Sequence, residues 1–193
     1  MQLRFCLESW NIWIMNTKPL HGKKNPIDND IIDPDGYRKN VGIVLCNARG
    51  EVLWARRSRH DGWQFPQGGI EYDETAQQAA YRELYEEIGL RHDQVNLIGV
   101  TENWLHYDLP TEFRRLDGKH FRGQKQLWFL FEMLAEDSDI CLTKAENPEF
   151  DSWRWVDYWL PITEIIDFKK HVYTHVLTEL RPLMLSFFDK KNP

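Results

Sequence analysis

Cysteine is scarce in this sequence, and its scarcity argues against a disulfide-stabilised fold. Only three of the 193 residues are cysteines, Cys6, Cys46 and Cys141, and their spacing matches no metal-binding motif. An odd number of widely separated cysteines predicts free thiols in a reducing compartment. We therefore expect a cytoplasmic protein with no disulfide partner.

Long apolar runs and an excess of positive charge are also missing. No apolar stretch approaches the roughly 18 residues that a membrane-spanning helix needs, so we expect no membrane partner. The formal net charge is −6 at pH 7. A protein with this charge is not a general nucleic-acid binder, so any site for a polyanion must be local. Composition leaves the oligomeric state open, and a monomer is favoured.

The start of the chain differs in character from the rest. Residues 16–35 are polar and rich in Pro, Asn and Asp, which is typical of a flexible lead-in. Three explanations for residues 1–30 stay open: a disordered tail, a short packing helix, or translation from an upstream start with Met15 as the true start. We predict an N-terminal extension, 1–32, and a single domain, 33–193, long enough for a substantial core.

The order of strand-like and helix-like segments predicts the fold class. Apolar or alternating runs indicate strands at 41–46, 51–55, 63–65, 95–104, 127–134 and 151–156. Helical spacing appears at 73–88, 160–168 and 171–185. Asp73 or Thr75 can begin the first helix, Gly89 can end it, and Pro182 interrupts the third. This order predicts an α/β protein with helices packed on a mixed sheet.

Carboxylates crowd one face of the first predicted helix. Glu83 lies four residues before Glu87 and three before Glu86, so the Cβ atoms of each pair are expected about 5–6 Å apart. Like charges at that spacing repel, and the helix dipole disfavours anions near the C-terminal end. A divalent cation reverses both effects, and Mg²⁺ and Mn²⁺ prefer oxygen ligands. A solvated acidic face with an Arg82–Glu86 ion pair is the simpler alternative.

The residues around these carboxylates complete a specific pattern. From Gly68 to Leu90 the chain reads Gly-x5-Glu-x7-Arg-Glu-Leu-x-Glu-Glu-x-Gly-Leu, which fixes nine positions over 23 residues. This is a complete match to the Nudix box, and a solvated acidic helix does not account for it. The chain resembles the Nudix hydrolases, and more narrowly the bacterial RNA pyrophosphohydrolase group, which is close to the dinucleoside polyphosphate hydrolases.

Segments outside the box extend the resemblance over residues 33–181. They are 35–47, 54–57, 63–70, 123–130, 148–159 and 168–173. The resemblance implies the Nudix fold, in which a mixed β-sheet is sandwiched between helices (α/β/α). It also implies attack of water on a phosphate chain with a divalent metal cofactor, Mg²⁺ or alternatively Mn²⁺ or Zn²⁺.

The resemblance further implies which residues form the site. The implied catalytic residues are Glu83, Glu86, Glu87, Glu149 and Arg82. The four glutamates are the implied metal ligands, with Glu87 the first choice for the indispensable one, and Arg82 orients a neighbouring carboxylate. Glu149 can alternatively be the general base, and which glutamate takes the proton stays open. Gly68 and Gly69 form a loop whose backbone can approach the metal closely.

A second implied set binds the substrate. Its members are Arg38, Arg57, Gln124, Ile166, Phe168 and Lys169. The basic residues meet the phosphate chain or the RNA backbone, whereas Arg57 and Phe168 can hold a base by stacking, with Ile166 as a further wall. Residues 114–125 carry an excess of Lys and Arg, which is either a local RNA track or a solvated loop.

Within this group the expected substrate is the 5′-triphosphate or 5′-diphosphate end of RNA. Removing phosphates to leave a 5′-monophosphate would start mRNA decay. The alternative is a dinucleoside polyphosphate hydrolase that uses the same catalytic residues on small nucleotides. A non-catalytic protein that only binds a nucleotide is less favoured, because the glutamate set is intact.

Overall fold

The computed structural model of the protein describes residues 32–111 and 121–191. In this part of the chain an eight-stranded mixed sheet is packed between helices. The strands are β1 (Tyr37–Cys46), β2 (Val52–Arg57), β3 (Trp63–Gln64), β4 (Gln67–Gly69), β5 (Val95–Val100), β6 (Leu105–Asp108), β7 (Gly123–Met133) and β8 (Phe150–Val156). The α-helices are α1 (Ala76–Glu83), α2 (Leu160–Glu164) and α3 (Lys170–Lys191). The predicted extension, apart from residue 32, lies outside the described residues.

The parallel pair of β1 and β7 forms the centre of the sheet. Tyr37 lies opposite Gly123 and Cys46 lies opposite Glu132, so β1 pairs along its whole length. Strands β2 and β4 pair antiparallel with β1, and β5 and β6 pair antiparallel with β7. Strands β3 and β8 pair with β2. The prediction of a mixed sheet is confirmed.

Apolar side chains from the sheet form a separate core on each face. Alternation along β1 and β7 sends successive residues to opposite faces. One face packs against α1 through residues that include Ile43, Leu45, Phe131, Ala80 and Leu84. The other packs against α3 through residues that include Trp54, Phe65, Trp128, Tyr173 and Val176. Helices on both faces confirm the predicted α/β/α arrangement.

The helix of the Nudix-box segment begins after Thr75 and ends at Gly89, as predicted, but its last part is not a regular α-helix. Thr75 is its N-cap: the Thr75 hydroxyl accepts from the Gln78 backbone, and the Gln78 side chain accepts from the Thr75 backbone. The regular α-helix ends at Glu83 and continues as a π-helical turn, Leu84–Ile88, which Gly89 closes with a φ of 84°. Leu84 and Ile88 are both buried in the core, so packing stabilises the wider turn, and π-turns are frequent at functional sites.

The predicted strand 95–104 is shorter in the structure: β5 ends at Val100, where Thr101 replaces the regular pairing with β7, and β6 begins only at Leu105, after the predicted range. The Thr101 hydroxyl accepts from the Trp128 backbone N–H at 3.1 Å, and the Thr101 N–H donates to the Trp128 carbonyl at 2.9 Å. A side chain thus takes a place that a strand carbonyl would otherwise fill. The chain then turns and resumes as β6.

Pro182 does not interrupt α3, so that part of the sequence prediction is wrong. The helix continues to Lys191, although proline lacks the N–H that would bond the carbonyl four residues earlier. In the preceding turn the Tyr158 hydroxyl donates to the Leu177 carbonyl at 3.0 Å. Leu180 and Met184, on either side of Pro182, are buried against the sheet. Packing on both sides therefore maintains the helix across the proline.

No helix in the described residues is long and apolar enough to cross a membrane. Cys46 and Cys141 are free thiols, and Cys6 lies outside the described residues. Burial raises the pKa of the Cys46 thiol to about 12, because the thiolate would lose its hydration inside the core. Cys46 therefore remains a neutral thiol at physiological pH.

A glycine in β1 is required by the packing of the α3 face. A Cβ atom at Gly42 would overlap the indole ring of Trp128, which is itself fully buried. We expect Gly42→Ala to lower the free energy of unfolding by about 1–3 kcal/mol, because the rigid indole has no room to move. Urea denaturation measures the change. Gly99→Ala is the matched control, since its Cβ would meet only the flexible end of Leu183, at 2.6 Å. Equal losses for both variants would contradict the packing argument.

Candidate active site

Strand β4 lies directly against the acidic end of α1 and the π-helical turn. The Gln67 backbone N–H donates to Glu87 Oε2 at 2.9 Å. A Cβ atom at Gly68 would overlap the Glu83 carboxylate, so only glycine allows this approach. Glu83 is buried, Glu87 is partly exposed, and Glu86 faces solvent. The fold therefore brings two of the predicted metal ligands to the backbone of Gln67 and Gly68, and the predicted Gly68–Gly69 loop is in fact part of strand β4, paired with β1.

Arg82 connects strand β4 to the acidic cluster. Its guanidinium forms a bidentate pair with Glu74, at 2.6 Å and 3.1 Å, and Nη2 donates to the Gly69 carbonyl at 2.7 Å. Nη1 donates to Glu83 Oε1 at 2.8 Å and to Glu86 Oε2 at 3.2 Å. These contacts turn Arg82 towards carboxylates and backbone, which is the arrangement a positioning residue needs.

The carboxylates of the cluster destabilise one another as anions. Burial, the charge of Glu83 and the charge of Glu149 hold the pKa of Glu87 well above its usual range, although the Gln67 N–H opposes the shift. Burial also raises the pKa of Glu83, against the effect of Arg82. Mutually repelling carboxylates whose anionic forms are disfavoured are a suitable donor set for a hard divalent cation.

The described residues do not present these donors as an assembled cage. Within residues 32–111 and 121–191, no three or more His, Cys, Asp or Glu side chains are grouped as metal ligands. The hydrogen bonds explain why: Arg82 occupies oxygens of Glu83 and Glu86, and the Gln67 N–H occupies one oxygen of Glu87. Binding an ion through these groups requires some of these contacts to be exchanged.

Glu149 directly precedes β8 and contacts the end of β2, beside the cluster. Its carboxylate accepts from Arg57 Nε at 3.2 Å, and its backbone carbonyl accepts from the Ser58 N–H at 2.8 Å. Its charge raises the pKa of Glu87. The structure thus brings Glu149 near the box glutamates, across a sequence separation that only the fold can close.

Lys169 is buried on the α3 face, beside the same cluster. Its ammonium donates to Gln64 Oε1 at 3.2 Å and to Gln67 Oε1 at 3.4 Å, and lies 5.4 Å from the centre of the Tyr107 ring. Burial, reinforced by the charge of Arg57, lowers the pKa of Lys169 to about 7, whereas Glu149 and Glu87 act in the opposite direction. Gln67 therefore contacts both Glu87 and Lys169.

The remaining predicted substrate residues surround this region to different extents. Gln124 accepts from the Tyr107 hydroxyl at 2.6 Å, and the Phe168 ring lies 5.6 Å from the Tyr107 ring. The Arg38 guanidinium occupies the space where Gly69 lacks a side chain. Ile166 lies two residues before Phe168 and is 45 % exposed, so it is available as a wall for a bound group.

The basic segment 114–125 is only partly described. Arg122 pairs with Asp108 at 3.1 Å, and Lys125 pairs with Asp33 at 3.1 Å. Arg114, Arg115 and Lys119 lie outside the described residues. The two described members are thus neutralised by carboxylates, and the choice between an RNA track and a solvated loop stays a prediction for the other three.

Comparison with known proteins supplies the family. The model of the NUDIX domain matches residues 36–177, which is more than half of the chain. The chain belongs to the Nudix family. This Nudix protein is a hydrolase of the pyrophosphohydrolase class, as the intact box predicted, and divalent cations are the general cofactor of the family.

Solved structures agree with the fold of this Nudix hydrolase. An Ap4A hydrolase from C. elegans matches with a TM-score of 0.57 and 20% identity, over 77% of this chain and 98% of that one. The E. coli dihydroneopterin triphosphate pyrophosphohydrolase matches with a TM-score of 0.59 and 21% identity, over 72% of this chain and 94% of that one. A Nudix hydrolase from M. smegmatis matches with a TM-score of 0.52 and 18% identity, over 77% of this chain and 86% of that one. Likenesses at this identity show the fold alone.

Sequence reasoning did not identify the polar residues that are buried on the α3 face. Asn40, Gln64 and Gln126 are each less than 5% exposed, and Gln126 Nε2 donates to Gln67 Oε1 at 3.3 Å. The Asn40 and Gln126 side-chain oxygens are buried without a hydrogen-bond partner in the described residues. The sequence did contain a signal for them, because these polar residues occupy core-facing positions of strands that are otherwise apolar. Buried amides require hydrogen-bond partners, so such positions indicate a polar site.

Gly68→Ala tests the link between β4 and the acidic cluster of this Nudix protein. The added methyl must displace the Glu83 carboxylate, so we expect Mn²⁺ affinity to fall by about 10- to 100-fold while the fold is kept. Calorimetric titration of the protein with Mn²⁺ measures the affinity, and circular dichroism checks folding. Gly99→Ala, remote from the cluster, should leave Mn²⁺ binding unchanged. Wild-type affinity in Gly68→Ala would contradict a role for Glu83 in holding the ion.

Proposed function

We propose that this Nudix hydrolase removes phosphates from the 5′-triphosphate or 5′-diphosphate end of RNA, leaves a 5′-monophosphate, and so starts mRNA decay in the cytoplasm. One observation carries the proposal: a buried lysine and a pair of aromatic rings lie beside the acidic cluster. Lys169 and Glu87 are both bonded to Gln67, and Phe168 and Tyr107 lie next to Lys169. A phosphate chain with a terminal base can span these two parts.

The acidic cluster is proposed to hold the metal. Glu83, Glu86 and Glu87 are the ligands, with Glu149 as a further ligand or as the general base. When bound, a divalent cation supplies charge neutralisation of phosphate oxygens and lowers the pKa of water. Arg82 keeps Glu83 and Glu86 turned towards the loop, and the Gln67 N–H fixes Glu87. Mg²⁺ is the preferred ion because the donors are hard oxygens, with Mn²⁺ and Zn²⁺ as alternatives.

The cations around the pocket are proposed to bind the phosphate chain and the first nucleotide. Lys169 and Arg38 are placed to contact phosphate oxygens, and Gln124 is held at the same end of the sheet by Tyr107. Arg57 lies beside Glu149 and, with Phe168 and Ile166, is proposed to hold a base by stacking. This division gives the acidic cluster the reaction and the α3 face the recognition of RNA.

The choice between RNA and dinucleotides is tested by direct competition. We expect a 5′-triphosphate or 5′-diphosphate RNA oligomer to be converted to 5′-monophosphate with a kcat/KM at least about tenfold above that for a dinucleoside tetraphosphate, because the RNA chain adds stacking contacts. Product analysis with Mg²⁺ and with Mn²⁺ gives both rates. Preferred cleavage of the dinucleotide would assign the Phe168 pocket to a mononucleotide and the enzyme to small nucleotides, as for the C. elegans Ap4A hydrolase that shares the fold.

Glu87→Gln separates a hydrolase from a protein that only binds a nucleotide. The amide keeps the shape and can still meet the Gln67 N–H but loses the charge, so we expect kcat to fall by at least about 10²-fold. Circular dichroism should show an unchanged fold, and Glu136→Gln, at an exposed site remote from the cluster, should keep full activity. Metal-dependent turnover of Glu87→Gln at the wild-type rate would show that the assigned site is wrong.

A further inference from the structure

Lys169 is a buried cation whose close partners are all uncharged. The residue is 7% exposed, and its ammonium is held by the side-chain oxygens of Gln64 and Gln67 and by the face of Tyr107. Among the described residues, no carboxylate forms an ion pair with it. Two amide oxygens and an aromatic ring therefore hold the Lys169 amino group away from water.

Three other partly buried cations at this end of the molecule are paired with carboxylates. The pairs are Arg82 with Glu74 at 2.6 Å, Arg57 with Glu149 at 3.2 Å, and Lys125 with Asp33 at 3.1 Å. Lysine is almost never buried without an opposite charge, because the lost hydration has to be replaced. Lys169 is attracted by the more distant charges of Glu149 and Glu87, but among the described residues it has no carboxylate in direct contact, so this place is open to an anion from outside the chain.

Gln64 is placed to control how Lys169 is presented. It lies in the short strand β3, opposite Ala55 of β2. It is 4% exposed, so the surrounding residues hold its side chain in place. Its oxygen lies 3.2 Å from the ammonium, closer than that of Gln67. Gln67 is also bonded to Glu87 and to Gln126, whereas Gln64 can be changed without altering a contact to the acidic cluster.

We propose that Gln64 is a positioning residue for substrate: its neutral side-chain oxygen orients Lys169 while leaving the lysine charge for a phosphate group. The inference rests on the proposed function, in which Lys169 contacts the phosphate chain. A carboxylate at the same position would also orient the lysine, but it would neutralise the charge and compete with phosphate. Glutamine can thus hold the Lys169 amino group by a hydrogen bond without neutralising its charge.

Gln64→Glu separates these two effects. The new carboxylate pairs with Lys169, so the thermal midpoint should stay the same or rise, whereas KM for 5′-triphosphate RNA should rise by at least about tenfold because charge-assisted contacts to phosphate are lost. We expect kcat to change by less than about threefold, because the residue acts on binding. Steady-state kinetics and thermal denaturation of the full chain give the three values.

Gln64→Leu provides the second variant. It removes the acceptor without adding charge, so KM should again rise while the thermal midpoint falls, because the lysine loses a partner. Opposite shifts in midpoint with the same shift in KM are specific to a positioning role. A residue that only supports the fold would move midpoint and KM together in both variants.

Two controls complete the test. Gln77→Glu makes the same chemical change on the exposed side of α1 and should leave KM unchanged. In a Lys169→Met background, Gln64→Glu should add nothing further to KM, because its effect acts through the lysine. A wild-type KM, a lowered midpoint in Gln64→Glu, or an equal rise in KM without Lys169 would overturn the proposal. All variants are compared on whichever substrate the wild type cleaves best. A preference for a dinucleotide would therefore overturn the proposed function but leave the test of Gln64 valid.

Discussion

The close contact between β4 and the end of α1 is the constraint on which the candidate site depends. The Gln67 N–H bonds Glu87, Gly68 touches the Glu83 carboxylate, and the Gly69 carbonyl bonds Arg82. These three links connect consecutive residues of one short strand to three residues of the helical segment. The glycines are needed because a side chain at Gly68 would fill the space of the Glu83 carboxylate, and one at Gly69 would fill the space of the Arg38 guanidinium.

The sheet brings the acidic cluster and Lys169 to the same end of the molecule from opposite faces. Residues of β1 and β7 that face α1 form an apolar layer beneath the acidic segment. On the α3 face, amides replace apolar residues near the start of these strands, where Asn40 lies opposite Gln126, and Lys169 approaches from the turn before α3. Gln67 connects the two faces, because its backbone serves Glu87 while its side chain serves Lys169.

Electrostatics gives these two parts opposite needs. The acidic cluster holds more negative charge than its surroundings favour, as the raised pKa values of Glu83 and Glu87 show. Lys169 holds a positive charge that burial disfavours. In the proposed function a divalent cation balances the negative charge and a phosphate chain pairs with the lysine, so a metal–phosphate substrate would complement the site as a whole.

The sequence by itself determined the family, the box glutamates and the fold class, because each depends on local spacing that a chain carries in any conformation. It also placed Thr75 among two possible helix starts and Gly89 at the end of the turn. Only the tertiary structure decided that Pro182 leaves α3 continuous, that Leu84–Ile88 widens into a π-turn, and that Gln64 holds Lys169. These features depend on packing and hydrogen bonds between residues far apart in the chain, and such contacts have no local signature.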